Sequence, residues 1–233
     1  MSLRKSNPFS ILHILKKSIV SFKLFLFRND LKYAAQVFHS DKFHVHNYIP
    51  YYVHFFSSLR KKKNRILEIG IGGYDDPKLG GASLRLWKNY FSNSQIFGID
   101  LYDKSQLNQH RIKTFKGSQI DSGFLNQVVS EVETFDIIID DGSHISSHVI
   151  FTFEYLFPFL TPGGFYVIED LQTSYWEEYN GGFQKEGSSI EYFKGLMDSI
   201  NSIYIRDKEV NFKFENEIEF FFMRHNILFI KKK

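Results

Sequence analysis

The sequence predicts an α/β protein with a doubly wound, seven-stranded and mostly parallel sheet that ends in an antiparallel hairpin. Between residues 65 and 168, short runs of β-branched and aromatic residues alternate with segments of helical periodicity. Such alternation is typical of parallel strands joined by right-handed crossovers. The last two strand-like runs are separated only by Arg224-His225-Asn226, and so short a connection requires a hairpin. The predicted strands are 65–69, 95–99, 111–115, 135–139, 164–168, 218–223 and 227–230.

Helices are predicted around these strands from apolar residues that recur every three or four positions. The longest covers residues 9–27, where Leu12, Leu15, Ile19 and Phe22 share one face. Lysines interrupt this segment too often for a transmembrane span. We expect this helix to cover the core or to form a dimer contact, and a basic helix lying on a membrane surface is the alternative. The other predicted helices are 48–59, 82–91, 122–132 and 146–160.

Composition limits the classes of protein to be considered. With 233 residues, 43% of them hydrophobic, the chain can bury one substantial core. We expect an amphipathic helical segment over residues 1–39 and one α/β domain over residues 40–233. Cysteine is absent, which excludes disulfides and thiolate nucleophiles and is compatible with a reducing cytoplasm. The amphipathic N-terminal helix would suit a protein at the inner face of the membrane. The net charge of +3 is too small to indicate a nucleic-acid partner.

Acidic residues follow two of the predicted strands at the point where each strand ends. Asp140 and Asp141 end one strand, with His144 three residues later, and Glu169 and Asp170 end the next. In an open α/β sheet the carboxyl ends of the strands form the ligand-binding edge. Carboxylates drawn together repel one another unless a cation lies between them. Hard oxygen ligands favour Mg²⁺, with Mn²⁺ or Ca²⁺ as alternatives, so Asp141, Glu169 and Asp170 are the predicted metal ligands.

A glycine-containing turn, Gly70-Ile71-Gly72, follows the first sheet strand, where a backbone can approach a bound nucleotide. Asp75 stands where a dinucleotide fingerprint needs its third glycine, and Asp75-Asp76 would place negative charge against a pyrophosphate. The sequence therefore disfavours NAD. S-adenosylmethionine carries a positive sulfonium and no phosphate, so an acidic rim suits it. Asp100, at the end of the second strand, is placed to accept both ribose hydroxyls of either cofactor.

Several short motifs between residues 40 and 170 occur together. They are Asp41-Lys42, His46-Asn47-Tyr48, Leu67-Glu68-Ile69-Gly70, Gly81-Ala82-Ser83, Phe97-Gly98-Ile99-Asp100, Gly117-Ser118-Gln119, Asp140-Asp141-Gly142-Ser143-His144 and Gly163 through Asp170. In combination they resemble the metal-dependent sugar O-methyltransferases, which are class I methyltransferases that methylate deoxysugars on macrolide and tetracenomycin antibiotics.

The resemblance implies an S-adenosylmethionine-dependent, divalent-metal-assisted O-methyltransferase. Its acceptor would be a sugar hydroxyl, such as that of a deoxyhexose in a glycan, a glycolipid or a glycosylated natural product. His144 is the predicted catalytic base, and Asp141 is predicted to be catalytic as well as a magnesium ligand beside Glu169 and Asp170. The predicted cofactor-binding residues are Glu68, Gly70, Gly72, Ser83, Asp100, Gln119 and Asp140.

Other functions stay open at this point. A metal-dependent hydroxylase-like protein, a non-catalytic glycan-binding protein and a methyltransferase for a non-sugar small molecule would all use the same scaffold. Tyr175, Trp176 and Tyr179 predict either an aromatic wall for a sugar ring or ordinary packing. Residues 181–189, rich in glycine and serine, predict a mobile lid or a simple loop. The motifs do not specify which sugar is methylated or at which hydroxyl. They also do not specify the oligomeric state, for which a homo-oligomer is one alternative.

Overall fold

The protein is built around a seven-stranded sheet. The computed structural model of the protein describes residues 8–206 and 211–233, with side chains from residue 16 onward except residue 17. Its strands are β1 (Arg65–Ile69), β2 (Gln95–Asp100), β3 (Ile112–Lys116), β4 (Phe135–Asp140), β5 (Leu160–Ile168), β6 (Ile218–Arg224) and β7 (Ile227–Lys232). They lie in the order β3-β2-β1-β4-β5-β7-β6. The strands β1 to β5 are parallel, and β7 is antiparallel to both β5 and β6. The predicted fold class is confirmed.

Helices cover both faces of the sheet. They are α1 (Pro8–Leu26), α2 (Leu31–Phe38), α3 (Asp41–His44), α4 (Ile49–Phe56), α5 (Ala82–Tyr90), α6 (Ser122–Val132), α7 (Ser146–Leu156) and α8 (Ser189–Leu196). Because strand side chains alternate, Leu67 and Ile69 pack in one core with α6, α7 and α8. Ile66 packs in the other core with α2, α4 and α5. Burial on both faces explains why the strands read as nearly continuous apolar runs.

One segment that was predicted to be irregular contains a helix. The polar link around residues 40–42 is the start of α3, and the preceding α2 is capped by Asp30, whose Oδ1 accepts the Tyr33 amide at 2.9 Å. Both Ser40 and Lys42 are fully buried. The predicted lid or loop at residues 181–189 is irregular up to Ser188, and Ser189 begins α8. Polarity did not mark exposure around residues 40–42, because the Lys42 ammonium is paired with carboxylates that are distant in the sequence.

Among the element boundaries that differ from the prediction, two have an identifiable backbone reason. Arg111 has a φ of 65°, a left-handed conformation, so β3 begins one residue later at Ile112. The helix α7 ends at Leu156, and a 3-10 helix, Phe157–Phe159, follows it. Pro158 lies within that turn and lacks the amide that an α-helix would need. The chain then enters β5 at Leu160, four residues before the predicted start.

The N-terminal helix α1 is long and largely exposed. Its Leu24 packs against the core that also holds α2 and α5. Side chains of residues 9–15 and 17, on which part of the amphipathic prediction depends, lie outside the described residues. Across the described ranges 8–206 and 211–233, each helix is too short or too polar to cross a membrane. Large apolar side chains with exposed fractions of 43% to 62% form what we call the apolar surface of α1: Ile19, Val20, Phe22, Phe25 and Leu26 of the helix, and Phe27 just after it.

Candidate active site

The two acidic clusters meet at the carboxyl end of the sheet. Register pairs Asp140 of β4 with Ile168 of β5, so Asp141 and Glu169 leave neighbouring strands at the same level. The ladder extends beyond the strands, because the Glu169 amide donates to the Asp140 carbonyl at 3.0 Å. The Asp141 amide likewise donates to the Ile69 carbonyl of β1 at 2.9 Å. Three strand ends therefore converge on one region.

A buried lysine lies between these carboxylates. The Nζ of Lys42, from α3, is 2.7 Å from Glu169 Oε1, 2.9 Å from Asp141 Oδ2 and 3.1 Å from Glu68 Oε1. The Lys42 side chain is fully buried. Tyr52 of α4 also donates its hydroxyl to Glu169. One ammonium group thus holds carboxylates from β1 and from the ends of β4 and β5.

Burial controls the protonation of this group. It raises the pKa of Glu169 well above its ordinary value and also raises the pKa of Asp141, although Lys42 opposes both changes. Burial acts against the charged form of Lys42, but Asp141, Glu169 and Glu68 hold its pKa well above its ordinary value. Three carboxylates facing one ammonium leave excess negative charge. A further cation beside them would keep all of the carboxylates ionised.

Asp170 lies on the open side of this group. Its Oδ1 accepts the Tyr48 hydroxyl at 2.8 Å and is 3.2 Å from His46 Nδ1. The Nε2 of His144 is 3.9 Å from both Asp170 Oδ2 and Asp141 Oδ1. One ligand atom each from Asp141, His144 and Asp170 lies within 4.8 Å of the others. His144 and Asp170 also have left-handed φ angles, 59° and 54°, and such strained backbone concentrates at functional sites.

This donor set fits a divalent metal ion. Carboxylate oxygens suit Mg²⁺ and Ca²⁺, and an added imidazole also suits Mn²⁺. Two of the three predicted ligands, Asp141 and Asp170, come together here with His144. The third, Glu169, lies deeper at 3% exposure, and its Oε1 is bound by Lys42. Coordination by Glu169 would use its other carboxylate oxygen, so its role as a ligand stays a prediction.

A cavity of about 590 Å³ opens beside the cluster. It lies where β1 and β4 are neighbours and the strand order reverses, the position at which open α/β sheets bind ligands. Asp141, His144 and Asp170 form part of its wall. Five predicted cofactor residues also line it: Gly70, Gly72, Ser83, Asp100 and Gln119.

Proteins with related sequences and structures are methyltransferases. No protein-family model matches the chain. The 8-demethyl-8-alpha-L-rhamnosyl tetracenomycin-C 2'-O-methyltransferase of Streptomyces olivaceus is 44% identical over 163 residues, which are 70% of this chain and 43% of that protein. The mycinamicin VI 2''-O-methyltransferase of Micromonospora griseorubida is 43% identical over 175 residues, 73% of this chain and 44% of that protein. This chain is a homologue of deoxysugar O-methyltransferases.

A solved structure agrees on the fold of this methyltransferase homologue. MycE methyltransferase from the mycinamicin pathway, in complex with Mg and S-adenosylhomocysteine, superposes with a TM-score of 0.83 at 39% identity. The match covers 87% of this chain and 54% of that chain. The fold is therefore that of class I methyltransferases. The chain spans less than half the length of the two curated relatives, 43% and 44%.

Two predicted cofactor residues of this methyltransferase fold lie behind the cavity wall. Glu68 is fully buried, and its Oε2 accepts the indole N–H of Trp87 at 3.2 Å. Asp140 is 2% exposed and accepts the Gly142 amide at 3.3 Å and the Gln119 side-chain amide at 3.4 Å. Burial raises the pKa of Asp140 to about 7. Direct contact of either carboxylate with a cofactor is not supported by these positions, and Asp140 instead orients Gln119 in the wall.

Asp100 lines the cavity and shapes the loops around it. Its Oδ2 accepts the Ile71 amide at 3.2 Å, and its Oδ1 accepts the Tyr102 amide at 2.9 Å. Asp75 and Asp76, by contrast, are exposed and are not part of the cavity lining. The predicted acidic rim is thus displaced from the cavity wall, because the turn after Gly73 carries these side chains outward. Asp75 and Asp76 therefore do not provide an argument against a dinucleotide in this cavity.

The predicted aromatic wall does not border the cavity. Tyr175 and Trp176 are 43% and 45% exposed, and the rings of Trp176 and Tyr179 are 6.0 Å apart. All three are missing from the cavity lining, although they follow Asp170 by only a few residues. A sugar stacked on them would therefore lie outside the cavity.

Sequence reasoning missed the residues that hold the carboxylates in place. Lys42, His46 and Tyr48 occur in the motifs that carry the family resemblance, but no role was assigned to them, and Tyr52 was not singled out. Apart from Glu68, their acidic partners are about 100 or more positions away; Lys42 and Asp141, for example, are separated by 99. Spacing along the chain gives no signal for such contacts. The shared motifs were the available indication.

Proposed function

We propose that the protein is an S-adenosylmethionine-dependent, divalent-metal-assisted O-methyltransferase that acts on a sugar hydroxyl. The observation that carries this proposal is the convergence of Asp141, His144 and Asp170, with ligand atoms within 4.8 Å of one another in a cavity wall. The homologues support it, because their names specify O-methylation of rhamnosylated tetracenomycin and of mycinamicin.

The proposed cofactor site is the cavity of about 590 Å³. Gly70 lets the chain turn closely beneath the cofactor, because it has a φ of +78° and a Cβ there would clash with the Asp141 carbonyl. Asp100 is the proposed acceptor for the ribose hydroxyls. Gln119 is fixed by the Ser143 amide, which donates to its Oε1 at 2.8 Å. S-adenosylhomocysteine in the homologous MycE structure supports this assignment.

Asp141, Glu169 and Asp170 are the proposed ligands of a divalent cation, Mg²⁺ first, with Mn²⁺ or Ca²⁺ as alternatives. When bound, the cation supplies positive charge that stabilises the alkoxide formed as the acceptor hydroxyl loses its proton. Lys42 holds Asp141 and Glu169, and Tyr48 holds Asp170. Because these partners fix the side chains beforehand, little ordering is left to occur on binding. Mg in the MycE complex supports this assignment.

His144 is the proposed general base. Its imidazole lies in the cavity wall, with Nε2 facing Asp141 and Asp170 at 3.9 Å. Imidazole accepts protons at cellular pH, so His144 can take the hydroxyl proton. As it does, the sugar oxygen forms a bond to the methyl carbon, the carbon–sulfur bond breaks, and S-adenosylhomocysteine leaves.

The proposed acceptor class is a deoxyhexose of a glycan, a glycolipid or a glycosylated natural product. Incubation with methyl-labelled S-adenosylmethionine, Mg²⁺ and a panel of rhamnosides, catechols and RNA tests it. We expect label in sugar hydroxyls, and we expect His144→Ala to lower kcat by roughly 100-fold without changing S-adenosylmethionine affinity. Label in a catechol or RNA and in none of the sugars would overturn the substrate class.

We propose further that the protein works in the cytoplasm at the inner face of the membrane, which it contacts through residues 9–27. The exposed apolar surface of α1, with the exposed Lys16 and Lys23 beside it, supports this contact. Residues 40–233 would form the methyltransferase domain, and residues 1–39 a helical addition joined to it by the packing of α2. The alternative to membrane contact is that the apolar surface of α1 forms the interface of a homo-oligomer.

A further inference from the structure

A second groove lies between α1 and α5, apart from the active site. Its volume is about 410 Å³, and it shares no lining residue with the active-site cavity. Leu24 and Phe25 of α1 form an apolar wall together with Phe38 of α2. The cationic wall consists of Arg85, Lys88 and Arg111, and a fourth cation, Arg28, lies beside Phe25.

The cationic wall has neutral partners. Lys88 Nζ donates to Gln109 Oε1 at 3.0 Å, and Arg85 donates to the Gly80 carbonyl at 3.2 Å. Arg111 donates to main-chain carbonyls, including that of Lys88 at 2.9 Å. Among the residues that the structure describes, none of the four cations lies within 4.0 Å of a carboxylate. Within residues 8–206 and 211–233, positive charge is therefore concentrated here without a carboxylate partner.

Partial burial disfavours the charged forms of these side chains. It lowers the pKa of Arg85, of Arg111 and of Lys88, and Arg111 adds to the effect at Lys88. An occupant with an anionic group would supply the counterion that these cations lack within the described residues.

The groove is continuous with the apolar surface of α1. Phe25 belongs to both, and the Arg28 guanidinium lies 5.1 Å from the centre of its ring. Apolar side chains next to a cationic groove match the interface of an anionic bilayer, where acyl chains lie beneath phosphate groups. Charge complementarity thus favours a membrane lipid over a second copy of this chain, whose net charge is also positive, at +3.

We propose that this groove binds the phosphate headgroup of an anionic membrane lipid while the apolar surface of α1 lies in the bilayer interface. The proposal rests on the membrane contact proposed above and names its lipid class. It also orients the enzyme. Ser83 of the active-site cavity and Lys88 of the groove are five residues apart on α5, a rise of about 8 Å. The active site would therefore be held close to the membrane surface.

Vesicle flotation tests the headgroup site. The full chain is mixed with vesicles of phosphatidylcholine alone or with 30% phosphatidylglycerol, a composition chosen at roughly physiological surface charge. We expect binding to the anionic vesicles only, and we expect Arg28→Gln with Lys88→Gln to weaken it roughly 30-fold. The control is Lys116→Gln with Lys185→Gln, which changes net charge equally at exposed positions and should bind like the unmodified chain.

A helix variant separates the two membrane proposals. Phe22→Ser with Leu26→Ser should weaken binding and leave its preference for phosphatidylglycerol. Loss of binding in the helix variant but not in the groove variant would overturn the headgroup site and leave the membrane contact standing. Equal loss in the groove and control variants would also overturn it, since net charge alone would then explain binding. Absence of binding to either vesicle would overturn both proposals without bearing on methyl transfer.

Two further arms identify another occupant. Glycerol 3-phosphate is titrated against the chain without vesicles, and sedimentation velocity measures the oligomeric state of each variant. Saturable binding of glycerol 3-phosphate without vesicle binding would replace the lipid with a soluble phosphate. A dimer that dissociates in the groove variant, again without vesicle binding, would show that a second copy fills the groove.

Discussion

The buried ammonium of Lys42 connects three carboxylates that come from different strands. Replacement by methionine keeps most of the side-chain volume but leaves Glu68, Asp141 and Glu169 without their shared cation. We predict that Lys42→Met lowers the free energy of unfolding by about 3–5 kcal/mol, the usual cost of breaking a buried ion pair. Urea unfolding in excess chelator measures it.

A matched control for this change is Lys185→Met, at an exposed position. It should alter the free energy of unfolding by less than about 0.5 kcal/mol. If Lys42→Met were as mild as this control, the ammonium would not be holding the carboxylates together.

His148 provides a pH-dependent prediction away from the acidic cluster. Its Nδ1 is 2.9 Å from Ser143 Oγ in the cavity wall, and burial lowers its pKa below 6.5. The folded protein therefore disfavours the charged ring. The pKa of histidine in the unfolded chain is about 6.5, and above that pH His148 contributes its full stabilisation of the fold. This stabilisation is lost as the pH falls through the lower pKa of His148 in the folded protein.

We predict that the His148 ring protons titrate below pH 6.5 by NMR. We also expect His148→Gln to reduce the loss of stability on acidification from pH 7 to pH 5. A His148 midpoint above pH 6.5 would contradict the prediction.

The chemically informative residues could be read from the sequence in part. Asp141, His144 and Asp170 were predicted because each stands at or just after a strand end, and strand ends of a parallel sheet meet. Lys42 could not be given a role in this way. A lysine beside an aspartate in a polar segment is indistinguishable from a solvated surface residue until the tertiary contacts are known.

At the scale of secondary structure, the turn after β1 brings the chain against the end of β4. Gly70 and Gly163 have the same φ of +78°, but a Cβ at Gly70 would clash with the Asp141 carbonyl, whereas nothing lies near Gly163. Both alanine variants therefore carry a similar left-handed backbone cost of about 1 kcal/mol. The difference between them isolates the close approach at Gly70.

We predict that Gly70→Ala loses several times more stability than Gly163→Ala and also loses S-adenosylmethionine affinity. Thermal unfolding and titration calorimetry measure the two effects. Equal stability in the two variants, with cofactor affinity intact, would show that the turn is not packed as tightly as the structure has it.

The strands were predictable as elements, and the short helices α2 and α3 were not. Residues 65–69 and 135–139 are continuous apolar runs because both faces of the sheet are covered, and their bounds were correct or one residue short. The helix α2 has only eight residues, too few for periodicity to separate it from its surroundings. Its stability comes from the burial of Leu31, Ala34 and Ala35 against α5, which only the folded chain reveals.

For the whole molecule, the topology explains why one edge of the sheet carries the chemistry. The chain runs outward from β1 to β3 and then returns to place β4 on the other side of β1. The crevice at this reversal receives the loops after β1, β2, β3 and β4, and the segment after β5 adds Asp170. The order of the elements was predictable from their alternation. The depth at which each carboxylate is buried was not predictable, because it depends on the packing of α3 and α4.

The central claim is that a divalent cation held by the carboxylate cluster is needed for methyl transfer from S-adenosylmethionine. The most direct measurement is the methyl-transfer rate of the unmodified chain, of Asp170→Asn and of the exposed control Asp198→Asn, each with Mg²⁺ and with excess chelator. The account predicts that chelator and Asp170→Asn each lower the rate by roughly 100-fold or more. Asp198→Asn should behave like the unmodified chain. Full activity of the unmodified chain in excess chelator, or of Asp170→Asn with Mg²⁺, would contradict the account.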